Sequence, residues 1–170
     1  MEKVVIVDEN DNVLGTEEKI SAHENGGKLH RAISVFVFRE NGDMLLQKRA
    51  KSKYHCGGLW TNTCCTHPRE GESYEQAAGR RLQEEMGFQC PLKEEFHFIY
   101  KAALDHELTE HELDHVFTGQ YAGNITPNPE EADGYDWISV QDLQKNIQEE
   151  PDKYTPWFKI ALKELLTRGQ

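Results

Sequence analysis

ESYEQAAGRRLQEEMGF, from Glu72 to Phe88, is the stretch on which the fold turns. Its Ala, Leu, Gln, Arg and Glu content predicts a helix from Ser73 to Met86, and Gly87 is the residue type that closes a helix in a left-handed cap. Arg80 and Glu84 stand four apart, as do Arg81 and Glu85, so each pair shares a helix face. Read by itself, this is a solvated helix laced with weak ion pairs. Just upstream, WTNTCCTHPREGES (Trp60 to Ser73) carries two adjacent cysteines and a histidine, and is too polar for a buried strand. If that segment is extended, Cys65 and His67 project from one face and Cys64 from the other.

Further out, residues 3–7 and 13–19 predict a short hairpin around Asp8-Glu9-Asn10-Asp11-Asn12. Asn25-Gly26-Gly27 links it to a stronger strand at 32–38, which Glu40-Asn41-Gly42-Asp43 turns into another at 44–49. Strands are predicted at 94–103, 111–121 and 133–138, and helices at about 139–149 and 155–167, the last opening on Thr155-Pro156. No repeat, low-complexity tract or linker divides residues 1–170. The pattern is α+β: one domain with a mixed β-sheet sandwiched between α-helices.

Composition narrows the function. A chain of 170 residues with 37% hydrophobic content can bury a core without staples. No run of eighteen apolar residues occurs, so no membrane helix is expected, and the start turns acidic at Asp8, too soon for a signal peptide. Cys56, Cys64, Cys65 and Cys90 offer no disulfide framework, and reduced thiols in a cytoplasmic protein are expected. A net charge of −11 argues against nonspecific nucleic-acid binding. A small anion would need a local basic cluster or a metal.

Candidate metal ligands are scattered along the chain. His23 and His30 flank the Gly-rich link, and His67 follows the cysteines. Glu110 and Glu112 sit two apart on a predicted strand, sharing one face while His111, Leu113 and Phe117 take the other. Three imidazoles and two carboxylates, if they meet, suit Mn2+, Mg2+ or Zn2+. Among eight histidines, a surface hydrogen-bonding role is the alternative for each one.

The spacing of the opening stretch resembles the Nudix box: Thr66, Glu72, then Arg80-Arg81-Leu82-Gln83-Glu84-Glu85-Met86-Gly87-Phe88. Two positions depart from that pattern. Thr66 replaces the opening Gly, and Arg81 replaces a Glu that the hydrolases use for metal. Four further words make a more specific resemblance. Ala22-His23-Glu24-Asn25-Gly26-Gly27-Lys28-Leu29-His30-Arg31-Ala32, Gln47-Lys48-Arg49-Ala50, Gly57 to Pro68, and Glu110-His111-Glu112 are together similar to type I isopentenyl-diphosphate isomerases, from about Val4 to Trp157.

That resemblance implies an allylic proton shift between isopentenyl and dimethylallyl diphosphate. It makes Cys65 the catalytic cysteine, His23, His30, His67, Glu110 and Glu112 the ligands of the first metal, and Glu112, aided by Tyr100, the acid. Cys65 as thiolate would remove the proton. Trp157 matches the aromatic that steadies a carbocation, with an ordinary core role for the last helix as its alternative. Lys19, Arg49, Lys53 and Arg81 match positions around the diphosphate, and Glu85 the ligand of a bridging Mg2+. Surface ion pairs are the alternative for Lys19, Lys53 and Glu85. Glu72 and Glu84 are expected to orient the helix and its loop, and Trp60 to be structural or a pocket wall. Cys56-Gly57-Gly58-Leu59 departs from the family's usual run, and His55 is a stray polar residue or a pocket lining. The resemblance implies a small-molecule substrate and a monomer or homodimer. The competing functions are a Nudix diphosphohydrolase, which would leave Cys65 with no role, and a noncatalytic metal-stabilised module.

Overall fold

The computed structural model describes residues 2–53 and 55–168. Strands β1 (Lys3–Val7) and β2 (Val13–Glu18) form the expected hairpin, its turn fixed by Asp8, whose Oδ1 accepts from the backbone N–H groups of Asn10 and Asn12. The second strand does not run on through Lys19. A short helix, α1 (Lys19–His23), starts there. Its neighbours Ala22 and His23 are both buried, which a pleated strand pointing alternate side chains to opposite faces does not readily achieve.

Strand β3 (His30–Phe38) begins two residues earlier than expected, because His30 is itself paired with Ile6 of β1. After β4 (Met44–Arg49) come two short strands that the sequence did not suggest, β5 (Trp60–Thr61) and β6 (Cys64–Thr66). Helix α2 (Tyr74–Met86) precedes the long antiparallel pair β7 (Leu92–Ala103) and β8 (Thr109–Gln120). Strand β9 (Ala132–Ile138), helix α3 (Val140–Glu149), a tight turn at Pro151–Lys153 and helix α4 (Pro156–Arg168) complete the order.

The sheet is mixed, as expected. β8 lies parallel to β3 in register His30↔Glu112 through Phe38↔Gln120, while β6 pairs antiparallel on the other edge of β3. β4 pairs β5 and β9. Alternation along β3 divides the core into two layers. Ile33, Val35 and Val37 pack with Ala77, Ala78, Leu82 and Met86 of α2, whereas Phe36 packs with Leu143 of α3 and Trp157, Phe158 and Ala161 of α4. Burying a side chain such as Leu82 stabilises by about 1.5–3 kcal/mol, so both layers hold the sheet between helices. Interspersed with Phe36 and Val116, the even-numbered positions His30, Ser34, Glu110, Glu112 and Asp114 of β3 and β8 are buried and polar. The site is built there.

Helix α2 starts with a reciprocal cap: Ser73 Oγ accepts from Gln76 N–H at 3.1 Å and Gln76 Oε1 accepts from Ser73 N–H at 3.0 Å. It ends at Gly87, with φ 74° and no room for a side chain, since a Cβ there would lie 2.3 Å from the carbonyl oxygen of Thr126. Among the described residues, no helix is long and apolar enough to cross a membrane.

Candidate active site

Four of the expected metal ligands meet. His23, His30, His67 and Glu112 each offer a ligand atom within 4.8 Å of the others, although they come from α1, β3, the segment after β6, and β8. The backbone prepares two of the rings. His23 Nδ1 lies 2.7 Å from Lys19 O, and His30 Nδ1 lies 2.7 Å from Lys28 O, so each ring donates there and turns a bare Nε2 inward. His23 Nε2 is buried with no hydrogen-bond partner. His30 Nε2 faces Glu112 Oε2 at 3.1 Å, and His67 Nε2 faces the same oxygen at 2.9 Å. Burial lowers the His23 imidazole and holds His67 down at about 4, so both rings are neutral at pH 7. Lone pairs converging on a carboxylate oxygen repel unless a cation lies among them. The donor set therefore fits a divalent metal.

Glu110 stands outside that group of four. Its Oε1 and Oε1 of Glu112 both lie within hydrogen-bond reach of the Tyr100 hydroxyl, whose single proton serves one of them at a time and which β7 places opposite Glu112 in the β7–β8 register. The two carboxylates separate electrostatically. Burial pushes Glu110 up and the charge of Glu112 adds to it. For Glu112 burial acts upward too, but where a ring N–H of His30 or His67 faces its Oε2, those hydrogen bonds outweigh burial and hold the carboxyl well below the usual range. Burial and both glutamates push the Tyr100 hydroxyl up, so it remains a donor.

Strand β6 divides the two cysteines as alternation requires. Cys64 is fully buried against α2, whereas Cys65 is half-buried and opens into a cleft of about 610 Å³. The Cys65 S–H has two acceptors in reach, Asn62 Oδ1 at 3.1 Å and Ser34 Oγ at 3.9 Å. Ser34 in turn donates to Asp114 at 2.7 Å. Burial and the nearby Asp114 push the thiol well up. The roles of Asn62 and Asp114 were missed. Asp114 had a signal, since it continues the alternation of Glu110 and Glu112. Asn62 had one in lying three residues before Cys65.

The cleft also collects the expected cations. Lys19, Arg49, Lys53 and Arg81 all line it, with Cys65, His67, Glu85, Glu110, Glu112 and Trp157. Lys19 pairs with Glu2 at 3.4 Å. Arg81 reaches Glu85 at 2.6 Å and Glu84 at 3.0 Å, and Gln47 donates to the other oxygen of Glu85 at 2.9 Å. A residue without any local signal joins Lys53 and Arg81: Glu131 Oε2 lies 2.6 Å from Lys53 Nζ and 3.1 Å from Arg81 Nη2. Glu72 and Glu84 both meet Arg80. Glu72 grips Arg80 through both oxygens, at 2.8 and 3.0 Å, and Arg80 reaches Glu84 at 3.0 Å.

Trp157 is both core and wall: it is 3% exposed, packs with Phe36 and Phe158, and still lines the cleft. The Arg49 guanidinium lies 5.0 Å from its ring centroid. His55, whose ring centroid lies 5.6 Å from that of Trp157, is a lining group, buried and held down at about 2 by burial and the charge of Arg49. Trp60 packs at the margin of the core and stands outside the cleft lining.

Comparison with known proteins places the whole chain. Residues 28–158 match the NUDIX domain. An isopentenyl-diphosphate Delta-isomerase of Photorhabdus laumondii is 51% identical over 158 residues, covering 93% of this chain and 89% of that protein. One from Aromatoleum aromaticum is 48% identical over 161 residues, covering 95% of this chain and 90% of that protein. Among solved structures, a Deinococcus radiodurans protein superposes with a TM-score of 0.79 at 16% identity, covering 95% of this chain and 98% of that one. At that identity the likeness bears on the fold.

Proposed function

The chain belongs to the isopentenyl-diphosphate Delta-isomerases, a family built on the NUDIX domain, and on that premise we propose how its residues interconvert isopentenyl and dimethylallyl diphosphate. The observation that carries the reading is that Cys65 and Glu112 open into one cleft whose walls also bring Lys53 and Arg81 together. An acid and a base are thus available to one substrate, beside cations suited to its diphosphate.

The alkene is a weak base, so its protonation needs a strong acid in a site that excludes water. His23, His30, His67 and Glu112 would hold a divalent ion, which would supply Lewis acidity that makes a proton on the Glu112 carboxyl easier to give up. Glu110, now engaged by Tyr100, is the remaining candidate ligand. The Glu112 carboxyl delivers its proton to the terminal methylene carbon, with the Tyr100 hydroxyl fixing the oxygen that gives it up. Positive charge then rests on the tertiary carbon. The Trp157 ring faces the cleft and stabilises it by about 0.5–2 kcal/mol in a dry site. The active form is the one in which the Cys65 proton has moved to the Glu112 carboxyl. The Cys65 thiolate then takes a proton from the carbon beside the diphosphate-bearing one, and the C–H electron pair becomes the new double bond. Proton exchange with solvent returns the Cys65 proton to Glu112 and restores the starting form. The reaction reverses by the same path, with the Cys65 thiol as donor.

Lys53 and Arg81, joined at Glu131, hold the diphosphate, and Arg49 and Lys19 line the same cleft. Glu85, buried and pushed up by that burial beside Arg81, is the residue that would hold a Mg2+ serving the diphosphate. Arg81 also weakens any hydrolytic reading, since it stands where the box of the hydrolases carries a metal-binding glutamate.

The test is proton NMR of the protein with isopentenyl diphosphate and Mg2+ in D2O. The expected result is loss of the exocyclic methylene signal, growth of the dimethylallyl signal, and deuterium at the exchanged carbons. An intact alkene with released inorganic phosphate would establish hydrolysis instead.

A further inference from the structure

We infer that His55 sets substrate specificity: with Trp157 it closes the hydrocarbon end of the cleft and limits the branch that the alkene can carry. The inference rests on the isomerase reading. It starts from a loop that is held in place at some cost. Cys56 has φ 52°, a left-handed conformation uncommon for a residue with a side chain, and its N–H donates to Asp105 Oδ2 at 3.1 Å, across the β7–β8 turn. Gly57 is equally constrained, because a Cβ there would lie 2.7 Å from Lys51 O. Gly58 N–H closes the loop on Arg49 O at 3.0 Å. Strain of this kind persists where the surroundings over-determine it, and functional sites are where it gathers.

What the loop delivers is the His55 ring. Its backbone carbonyl accepts from Arg49 Nη2 at 3.1 Å, so the loop and the guanidinium beside Trp157 are tied together. The ring is 5% exposed, tilted 60° to Trp157 at 5.6 Å, and 6.5 Å from the His23 ring. Lys53 and Arg81 meet at Glu131, which marks the diphosphate end. His55 instead faces Trp157 and the metal-ligand group. A substrate with its phosphates on Lys53 and Arg81 and its alkene between Cys65 and Glu112 has its branch against His55.

The experiment compares kcat/KM for isopentenyl diphosphate with that for the homologue carrying an ethyl branch in place of the methyl, using Mg2+-supplemented full-length enzyme. One methylene in a close-fitting pocket is worth about 10–200-fold in discrimination. His55→Ala is expected to narrow the wild-type ratio by about tenfold, and His55→Phe, which keeps a flat ring, to hold it within about twofold. A general loss of folding lowers both substrates together and leaves the ratio unmoved. A His55→Ala ratio equal to wild type overturns the inference. Should that variant not fold, the same ratio in His55→Asn decides, with narrowing in support and no change against. Wild-type enzyme inert toward isopentenyl diphosphate removes the isomerase reading and this inference with it, whereas active wild-type enzyme with an unmoved ratio removes this inference alone.

Discussion

Asn62 is completely buried, and its amide has one orientation open to it. Nδ2 donates to the carbonyls of Val35 at 3.0 Å and Cys64 at 2.9 Å, which turns Oδ1 toward the Thr61 hydroxyl and the Cys65 sulfur. Thr61 Oγ1 is in turn 3.0 Å from Thr155 Oγ1, at the start of the helix carrying Trp157. The sulfur is therefore located by a buried polar chain as well as by its strand, and such networks specify a position when every member is satisfied. Asn62→Leu should lower kcat by about tenfold or more while KM stays within about twofold, because the thiol loses its fixed acceptor and the diphosphate contacts are untouched. Steady-state kinetics decides; a change confined to KM would show that Asn62 serves binding. The two cysteines give a sharper contrast. Cys65→Ser should cut turnover by about 10²–10⁴-fold with diphosphate binding retained. Cys64→Ala should leave turnover near wild type and cost about 1–2 kcal/mol in urea unfolding, as expected for a small group removed from the α2 layer. Equal turnover in the Cys65→Ser variant would take that sulfur out of the mechanism.

Helix α2 works at a larger scale, joining the core to the cleft. Ala77, Ala78, Leu82 and Met86 are buried in the α2 layer, and Arg81 and Glu85 reach the cleft. The Glu72–Arg80 pair straps the preceding loop to the helix, and the hydrogen bonds from Arg80 lower the Glu72 carboxyl against a smaller upward pull from burial. A carboxyl whose folded-state pKa is depressed adds stability that is complete above its ordinary value and is lost as pH falls through the folded one. Glu72→Gln should therefore destabilise at neutral pH, by about 1 kcal/mol for a partly exposed pair, and the difference from wild type should vanish toward acid. Thermal melts at several pH values read this directly, and a gap that widened toward acid would contradict it. At the other end, Gly87→Ala meets both a left-handed φ and the Thr126 carbonyl at 2.3 Å. The segment that must give way runs from Thr126 to Glu131, anchored on α2 by Asn128 N–H to Glu85 O at 2.9 Å. A cost of about 2 kcal/mol or more is expected. A raised KM should accompany it, because Glu131 loses its place against Lys53 and Arg81; a destabilised variant with unchanged KM would separate the cap from the cleft.

Over the whole molecule, local pattern made the helices and the long strands legible, because hydrophobic alternation and capping residues act within a few positions of each other. Alternation likewise put Glu110 and Glu112 on one face of β8, and Cys65 with His67 on one face of their segment. What local pattern does not carry is pairing across the sheet. The parallel register that sets His30 beside Glu112 joins residues far apart in sequence, and only the resemblance to a known family brought the histidines together beforehand. Glu131 stood in a loop without any local mark, and Lys19–His23 gave no helical period because the helix is barely more than one turn. This assembly has a thermodynamic consequence. The three imidazoles and Glu112 come from four separate segments, so an ion that binds them joins α1, β3, the loop after β6 and β8, and binding only the folded chain must stabilise it. At a free-metal concentration a hundredfold above Kd the gain is about 2.7 kcal/mol, or roughly 5–10 °C in Tm for a chain of this size. Chelation followed by dialysis should lower Tm by that amount and abolish turnover, and Mn2+, Zn2+ or Mg2+ added back singly should identify the resident ion by which one restores both. His23→Ala, which removes the orphaned Nε2, should largely erase the metal-dependent rise, read as the difference between the chelated and metal-loaded Tm of the same variant. A Tm insensitive to chelator in the wild type would mean that the four side chains close on themselves through a shared proton, and the acid role of Glu112 would then have to stand without a metal.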